Sequence, residues 1–355
     1  MTDLLQDLGF NDFFQREVTK FKEYDVGRVY SLSKGIYKLI TSKGELNAVV
    51  SGKFRYTVTG ASDYPTVGDF VMFTETDGNS LIHQVLPRKS LIIRKEAGMT
   101  HETQLIAANV DKIFICMSLN NDFNIRRLER YLSIAWDSGA IPIIVLTKAD
   151  LCQNIEEMLE KITQISMGVD VLVTSYINSE GAEELKNTLW NGQTVAFIGS
   201  SGVGKSTLIN SLLGEDYIKT RDIRSDGKGK HATTRRELFL VPGHGVVIDT
   251  PGMRELGVQS IDLSRSFADI EELAMKCKFN DCQHNSEPGC EVKRAISQGE
   301  ISNSRLQSFR KLKREVRHEE LKVADRKERI RSRNENLQET KRIRKAMKAR
   351  NRKKL

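Results

Sequence analysis

The stretch GSSGVGKST, residues 199–207, matches the eight-residue template of a phosphate-binding loop. The apolar run TVAFI precedes it and LINSLL follows it, so the loop should join a buried strand to a helix. Backbone N–H groups in such a loop turn toward phosphates, while Lys205 can reach the β and γ phosphates and Ser206 can bind Mg²⁺. We expect nucleotide binding, with catalytic help from Lys205, at Gly199, Ser200, Ser201, Gly202, Val203, Gly204, Lys205, Ser206 and Thr207.

Two polar motifs after the loop complete the expected magnesium site. The hairpin pattern RELFLVPGHGVVID leads into DTPG. There Asp249 can hold Mg²⁺ through water, and the Gly252 N–H can sense the γ-phosphate. The segment KHATTRR, residues 230–236, offers Thr233 and Thr234 as further catalytic and magnesium-binding candidates. The sequence leaves open which of the two threonines binds the metal.

A motif upstream of the loop indicates which base is bound. TKAD, residues 147–150, directly follows the apolar run IPIIVL. Asp150 can accept hydrogen bonds from guanine N1–H and the exocyclic amine, and the stem of Lys148 can pack on the ring. Thr147 stands where Asn is usual, and Ser175 ends the next apolar run, where a second guanine loop belongs. These residues predict a GTP site. The alternative is an ATP-dependent kinase or RNA-remodelling ATPase, in which the match to TKAD would have arisen by chance.

The order of these motifs is unusual for a guanine-binding protein. The guanine motifs at 147–150 and 174–176 come before the phosphate loop, and the magnesium motifs come last. Neighbours in a sheet need not follow chain order, so a GTPase cut at one loop and rejoined elsewhere keeps its site. Strands and helices that alternate from about residue 107 predict the mostly parallel α/β sheet that such a site needs. The sequence therefore predicts a circularly permuted P-loop GTPase domain.

A cluster of metal-binding residue types follows this segment. The stretch CKFNDCQHNSEPGC contributes Cys277, Cys282, His284 and Cys290. Three thiolates and one imidazole form a closed tetrahedral set, so we expect one structural Zn²⁺ per chain. The alternative is reduced cysteines beside an ordinary loop histidine. Cys116 and Cys152, in or just after apolar strands, are expected to be core or near-core thiols.

Both ends of the chain carry features that suit RNA binding. After a helical lead-in, five short alternating segments between residues 27 and 86 fit an OB-type β barrel, although other small β domains share this spacing. Residues 301–355 hold 21 Lys and Arg against 7 Asp and Glu. That segment therefore carries +14, and the other 300 residues carry −6 of the net +8. A basic tail of this kind can neutralise RNA phosphates; a solvated charged helix is the alternative.

The permuted order, with a barrel before it and a Cys/His cluster after it, resembles the RsgA (YjeQ) family of small-ribosomal-subunit assembly GTPases. The likeness runs from about Gly27 to Phe309 and includes RKS at 88–90, NVD at 109–111, NDFN at 121–124 and RRLERYL at 126–132. It implies a monomeric enzyme that binds GTP and GDP, uses Mg²⁺ with GTP, contacts the small (30S) subunit and its 16S rRNA, and hydrolyses GTP faster on the ribosome.

The resemblance also bears on the catalytic water. Met253 follows DTPG where many GTPases place a Gln, and a thioether cannot orient water. His231 precedes the two threonines, and the resemblance supports it as the catalytic residue that positions the water. A solvent-exposed loop histidine is the alternative.

We predict a multidomain chain of four parts. They are an OB-fold RNA-binding domain with its lead-in at residues 1–95, the permuted GTPase domain at 96–258, a helical zinc-binding domain at 259–323 and a basic tail at 324–355. The sequence shows no secretory signal and no long apolar run, so we expect a cytoplasmic protein without a membrane partner. The rival function is an RNA-binding scaffold whose nucleotide site is mainly structural.

Overall fold

The computed structural model describes residues 3–21, 23–58, 60–76, 80–95, 103–177, 181–214, 236–241, 243–250, 263–318 and 320–321. The helical lead-in is confirmed as α1 (Asp3–Asp7) and α2 (Asp12–Val18), the second capped by the side chain of Asn11. Phe14 of α2 packs its ring 4.4 Å from that of Phe70, which seats the lead-in on the barrel. None of the described helices is long and apolar enough to cross a membrane.

The first large unit is a closed five-stranded barrel. Its strands are β1 (Asp25–Ser33), β2 (Ile36–Thr41), β3 (Gly44–Val50), β4 (Phe70–Thr74) and β5 (Ser80–Val85). Strands β1, β2 and β3 pair antiparallel, β3 runs parallel to β5, and β4 pairs with both β5 and β1. Helix α3 (Gly52–Thr57), capped by Ser51, and a 3₁₀ turn (Ala61–Asp63) lie between β3 and β4. The predicted OB-type barrel is confirmed.

A separate two-stranded sheet follows the barrel. β6 (Leu91–Lys95) pairs antiparallel with β7 (Thr103–Ala108). The segment RKSLIIRKEAGMTHETQ, residues 88–104, predicts an exit strand followed by a linker. The exit strand is present as β6, but the end of the expected linker, from Thr103, already belongs to the strand β7. Its backbone finds a partner in β6, which the pattern TQLIAA alone does not reveal.

Six strands at the centre of the molecule continue the barrel strands into one 11-stranded sheet. They are β8 (Lys112–Ser118), β9 (Ile141–Thr147), β10 (Asp170–Val173), β11 (Thr194–Ile198), β12 (Glu237–Val241) and β13 (Gly245–Asp249). The sheet is continuous because β12 pairs antiparallel with β1 of the barrel. The six strands lie in the order β10-β9-β8-β11-β13-β12, and every pair among them is parallel except β12 with β13. The mostly parallel α/β sheet is confirmed, and strand order departs from chain order as the permuted arrangement requires.

Helices cover both faces of these six strands. They are α4 (Ile125–Asp137), α5 (Ile155–Thr163), α6 (Ala182–Asn187) and α7 (Lys205–Leu213), with a 3₁₀ turn at Ala149–Leu151. Alternate residues of β8 enter different cores: Ile113 and Ile115 pack with α4 and α5, whereas Phe114 packs with α6 and α7. Because neither face meets water, the strands read as continuous apolar runs.

The C-terminal part described is helical. It contains α8 (Ala268–Ala274), α9 (Glu291–Ser297) and α10 (residues 303–318). Leu306, Phe309 and Leu312 of α10 are buried, and Val316 is partly buried against the same core as α4. The helical spacing of these four residues in the sequence predicts that one face of this segment packs on the body, and the structure confirms it.

Besides the pairing of β1 with β12, a buried arginine joins the barrel to the central strands. The Arg28 side chain in β1 is fully buried and donates to the carbonyls of Leu8 and Gly68 and to the Thr194 hydroxyl, the last at 2.9 Å. Burial lowers the pKa of Arg28 to about 10, and Asp111 and Asp69 partly oppose this effect. One guanidinium thus connects the lead-in, the barrel and the first residue of β11.

Candidate functional site

The phosphate loop lies where β11 ends and α7 begins. Gly199 has φ 149°, and a Cβ there would lie 2.5 Å from the Cys116 carbonyl oxygen, so glycine is required at this turn. Gly204 has φ 102° directly before the first residue of α7. The N-terminus of the helix therefore faces the loop, which is the arrangement that favours a phosphate.

Lys205 is held inside the loop by the loop itself. Its Nζ donates to the carbonyl oxygens of Gly199 and Ser200, each at 2.8 Å. Burial lowers the pKa of Lys205, while Cys116 and Asp249 act to raise it. The ammonium group is thus held in place by two carbonyl groups of the loop.

Asp249 and Ser206 supply the oxygen atoms expected around Mg²⁺. Asp249 ends β13 and is buried; this burial, opposed by Lys205 and aided by Glu237, raises its carboxyl pKa to about 6. Ser206 is partly exposed in the first turn of α7. Carboxylate and hydroxyl oxygens are ligands that suit Mg²⁺, and both lie at the carboxyl edge of the sheet.

The guanine motif contacts the phosphate loop directly. Thr147, the last residue of β9, donates its hydroxyl to the Val203 carbonyl at 2.6 Å. Lys148 adopts a left-handed backbone, φ 56°, and its Nζ donates to the Gly202 carbonyl at 2.8 Å. The structure therefore brings together motifs more than 50 residues apart in the chain.

The second guanine loop meets the first through a side-chain pair. The Ser175 hydroxyl donates to Asp150 Oδ1 at 2.6 Å. Ser175 is buried, whereas Asp150 is exposed at the mouth of the site. A buried hydroxyl thus orients the carboxylate that would read guanine.

The four predicted zinc ligands converge. The ligand atoms of Cys277, Cys282, His284 and Cys290 all lie within 4.8 Å of one another. The Cys277 and Cys290 sulfurs are 3.9 Å apart, and His284 Nδ1 lies 3.7 and 3.5 Å from them. Tetrahedral Zn²⁺ requires about 3.8 Å between thiolates and about 3.5 Å between a thiolate and an imidazole nitrogen. Burial also lowers the pKa of His284, which favours the neutral ligand form. The residues fit zinc.

Comparisons with known proteins identify the family. The model of the "RsgA GTPase" family matches residues 85–259, and that of the "50S ribosome-binding GTPase" family matches residues 194–348. A "Small ribosomal subunit biogenesis GTPase RsgA 2" from Lactiplantibacillus plantarum is 47% identical over 323 residues, covering 90% of this chain and 92% of that protein. The chain belongs to the RsgA GTPase family.

Other members of the RsgA family agree over similar lengths. A "Small ribosomal subunit biogenesis GTPase RsgA" from Methanosarcina acetivorans is 41% identical, covering 87% of this chain and 84% of its own. The crystal structure of YjeQ from Thermotoga maritima is similar with TM-score 0.63 and 28% identity, over 82% of this chain and 98% of that one. YloQ, described as a circularly permuted GTPase, shares the fold with TM-score 0.59 over 83% and 96%.

Several predicted site residues lie outside the described residues. They are His231, Thr233, Thr234 and Gly252, together with Met253. Their assigned roles stay predictions. The described part of the predicted site comprises the phosphate loop, Asp249, the TKAD motif and Ser175, which lie at one edge of the sheet.

Two residues at the phosphate loop were missed by the sequence reasoning. Arg127 Nη1 donates to the Ser200 hydroxyl at 2.6 Å, and Tyr131 also forms a side-chain hydrogen bond with Ser200. Both residues belong to RRLERYL, a stretch that carries the resemblance to the RsgA family but has no chemical motif of its own. The resemblance was the only signal that could have pointed to them.

Proposed function

We propose that this protein is a GTPase that binds the small ribosomal subunit, acts in its late assembly, and hydrolyses GTP faster when bound there. The observation that carries the proposal is the contact between TKAD and the phosphate loop, since it combines a guanine-reading motif with a triphosphate cradle. The names of the RsgA relatives support the ribosomal partner.

In the proposed reaction, the loop N–H groups and Lys205 bind the β and γ phosphates, and Asp150 and Lys148 bind guanine. Ser206, Asp249 and one of Thr233 and Thr234 would hold Mg²⁺, which when bound neutralises charge on the phosphates. His231 would position the attacking water, and the Gly252 N–H would respond to the γ-phosphate. Hydrolysis yields GDP and phosphate and lowers the affinity for the subunit.

The proposal extends to RNA through the two ends of the chain. A small barrel of this topology is a common oligonucleotide-binding fold, and the net positive charge is concentrated in residues 301–355. We propose that both contact 16S rRNA, while the zinc cluster stabilises the region that joins the tail to the GTPase. Under the rival scaffold hypothesis, the nucleotide would bind without productive turnover.

The experiment is GTP turnover by the purified chain with added small subunits, large subunits, or neither. We expect strong stimulation by small subunits alone. The large-subunit arm matters because one matching family is described as 50S-binding. Stimulation by large subunits only, or none by either, would contradict the proposal. Competition between ATP and GTP for binding tests the ATPase alternative.

Truncation from Ala324 tests the proposed role of the tail. Removing its Lys and Arg should weaken subunit binding and make its dependence on salt shallower, because fewer phosphate contacts release counterions. Basal GTP hydrolysis should persist, since the residues named at the nucleotide site, including Arg127 and Tyr131, lie between residues 127 and 252. Identical salt titrations for the full and truncated chains would show that the tail does not bind RNA.

A further inference from the structure

Helix α4 is buried on nearly all sides. Its buried residues are Leu128, Glu129, Tyr131, Leu132, Ser133, Ile134 and Ala135. A surface helix normally leaves one face in water. This helix instead lies between the central sheet and the C-terminal helices, and its charged residues make contacts in both directions.

One set of contacts reaches the phosphate loop. Arg127 Nη1 donates to the Ser200 hydroxyl at 2.6 Å and to Asp122 Oδ2 at 2.8 Å. Ser200 is also bonded by Tyr131, and its carbonyl accepts from Lys205 at 2.8 Å. The residue that holds the ammonium group of Lys205 is thus itself held by α4.

The stretch NDFN, residues 121–124, fixes Arg127 in place. The Asn124 side chain caps α4 by accepting from the Arg127 backbone N–H at 3.0 Å. Asp122 binds the guanidinium of the same residue. Asn120 in turn accepts from the Asp122 backbone N–H at 3.0 Å and from the Ser118 hydroxyl at 2.8 Å. The loop after β8 therefore restrains both the backbone and the side chain of Arg127.

The other set of contacts reaches the C-terminal helices. Glu129 accepts from Arg305 of α10 at 3.0 Å, and both side chains are less than 10% exposed. Arg305 also makes a two-point pair with Asp269, at 2.6 and 2.8 Å. Nearby, Arg130 pairs with Glu315 of α10 at 3.0 Å and remains partly exposed.

We propose that α4 couples the phosphate loop to α10, with Arg127 as a positioning residue for the loop and the Glu129–Arg305 pair as the connection to the C-terminal region. Because a buried ion pair is costly to separate, α10 and α4 move together more readily than they part. Because Arg127 and Glu129 are two residues apart on one rigid helix, a shift of α10 changes the geometry at Ser200. Nucleotide binding and the position of α10 are then linked in both directions.

The coupling itself requires only the GTP site, whereas its use on the ribosome rests on the proposed function. The test is a double-mutant cycle on the dissociation constant of a non-hydrolysable GTP analogue, with the isolated protein. The single variants are Arg127→Met and Glu129→Gln. Arg126→Met is the matched control, since Arg126 is the exposed neighbour of Arg127. Arg130→Met probes the same connection through the partly exposed pair if Glu129→Gln does not fold.

We expect Arg127→Met to weaken analogue binding about tenfold, because a charge-assisted hydrogen bond to the loop is lost. Arg127→Lys should recover part of that loss, and Arg126→Met should bind normally. Glu129→Gln should weaken binding about threefold in the native background and have no effect in the Arg127→Met background. A merely structural role for Arg127 would lower the melting temperature without this non-additivity.

A second arm measures turnover with and without small subunits. Glu129→Gln and Arg130→Met should keep the basal kcat and lose part of the stimulation by small subunits, since each removes an ion pair between α4 and α10. Independent, multiplicative effects in the cycle, or normal binding by Arg127→Met, would overturn the inference. Non-additivity without any subunit stimulation of the native chain would support the coupling by α4 and contradict the proposed function instead.

Discussion

The phosphate loop and the zinc loop are both small polar sites, but they are held in different ways. The phosphate loop is bound by Thr147, Lys148 and Arg127 from outside and by Lys205 from within. In the zinc loop, residues 277–290, the side chains of Cys277, His284 and Cys290 are buried against one another and Cys282 is half-buried beside them. The phosphate loop is therefore held by protein contacts that do not involve its ligand, whereas at the zinc loop we expect the metal itself to hold the side chains together. Loss of a ligand-binding residue should therefore reduce the rate or the nucleotide affinity at the phosphate loop, and the stability of the fold at the zinc loop.

The largest expected effect is that of zinc removal. Cys277→Ala, or treatment with a strong chelator, should destabilise residues 263–318 by about 5 kcal/mol or more, because binding energy at a structural zinc site is folding energy. Melting curves and metal analysis, with about one zinc per chain expected, measure this. Cys152→Ala, which changes a half-buried cysteine outside the cluster, is the control. A metal-free protein with an unchanged melting profile would contradict the zinc assignment.

Lys205→Ala tests the phosphate loop, where we expect a loss of rate without a loss of stability. Turnover should fall about 1000-fold, since a preorganised charge at the phosphates is lost. The fold should persist, because Thr147, Lys148 and Arg127 still hold the loop. Single-turnover kinetics and thermal melting separate the two effects, with the exposed Lys293→Ala as control. Turnover within tenfold of normal would disprove the phosphate-loop assignment.

Asp150→Asn tests whether the TKAD motif at the nucleotide site binds guanine. Affinity for GTP should fall about 100-fold, because a charged acceptor for two guanine donors becomes an amide. Xanthosine triphosphate should bind better than it does to the native chain, since the amide can donate to the xanthine oxygen. Competitive binding measures both, with the exposed Asp170→Asn as control. Unchanged GTP affinity would remove TKAD from the site.

The smallest effect is expected from one outer contact of the phosphate loop. Thr147→Val should weaken GTP binding about fivefold, because the Val203 carbonyl loses a hydroxyl donor. Thr163→Val, on the exposed face of α5, is the matched control. A loss as large as that of Lys205→Ala would mean that the loop is held by a single contact and that the contrast with the zinc loop is wrong.

The features predicted correctly from sequence are those encoded within short stretches. GSSGVGKST contains both the glycines and the lysine of its loop, the Cys and His residues that converge lie within residues 277–290, and the five barrel strands are short segments separated by turns. The permutation could be predicted because the motifs carry an order. Each of these patterns can be read without knowing what lies across the fold.

The features that were missed depend on distant partners. Arg28 and Thr194 are 166 residues apart, and Arg305 and Glu129 are 176 apart. A charged residue within an apolar pattern gives no indication of where its partner lies. The strand nature of residues 103–108 was missed for the same reason, since it follows from pairing with β6. Sequence periodicity reports which side of an element is buried, but not what buries it.

Because Arg28 of the barrel bonds residues outside the barrel, another protein's barrel could not replace this one without losing those contacts. Arg28 ties Leu8, Gly68 and Thr194 together, so separate expression of the barrel would leave its guanidinium without the Thr194 hydroxyl. The remaining fragment would lose the cation that binds the first residue of the phosphate-loop strand. A chimaera with a barrel from another protein would need an arginine at the position of Arg28 in its first strand. It would also need a backbone carbonyl in the lead-in, like that of Leu8, to accept a hydrogen bond from this arginine.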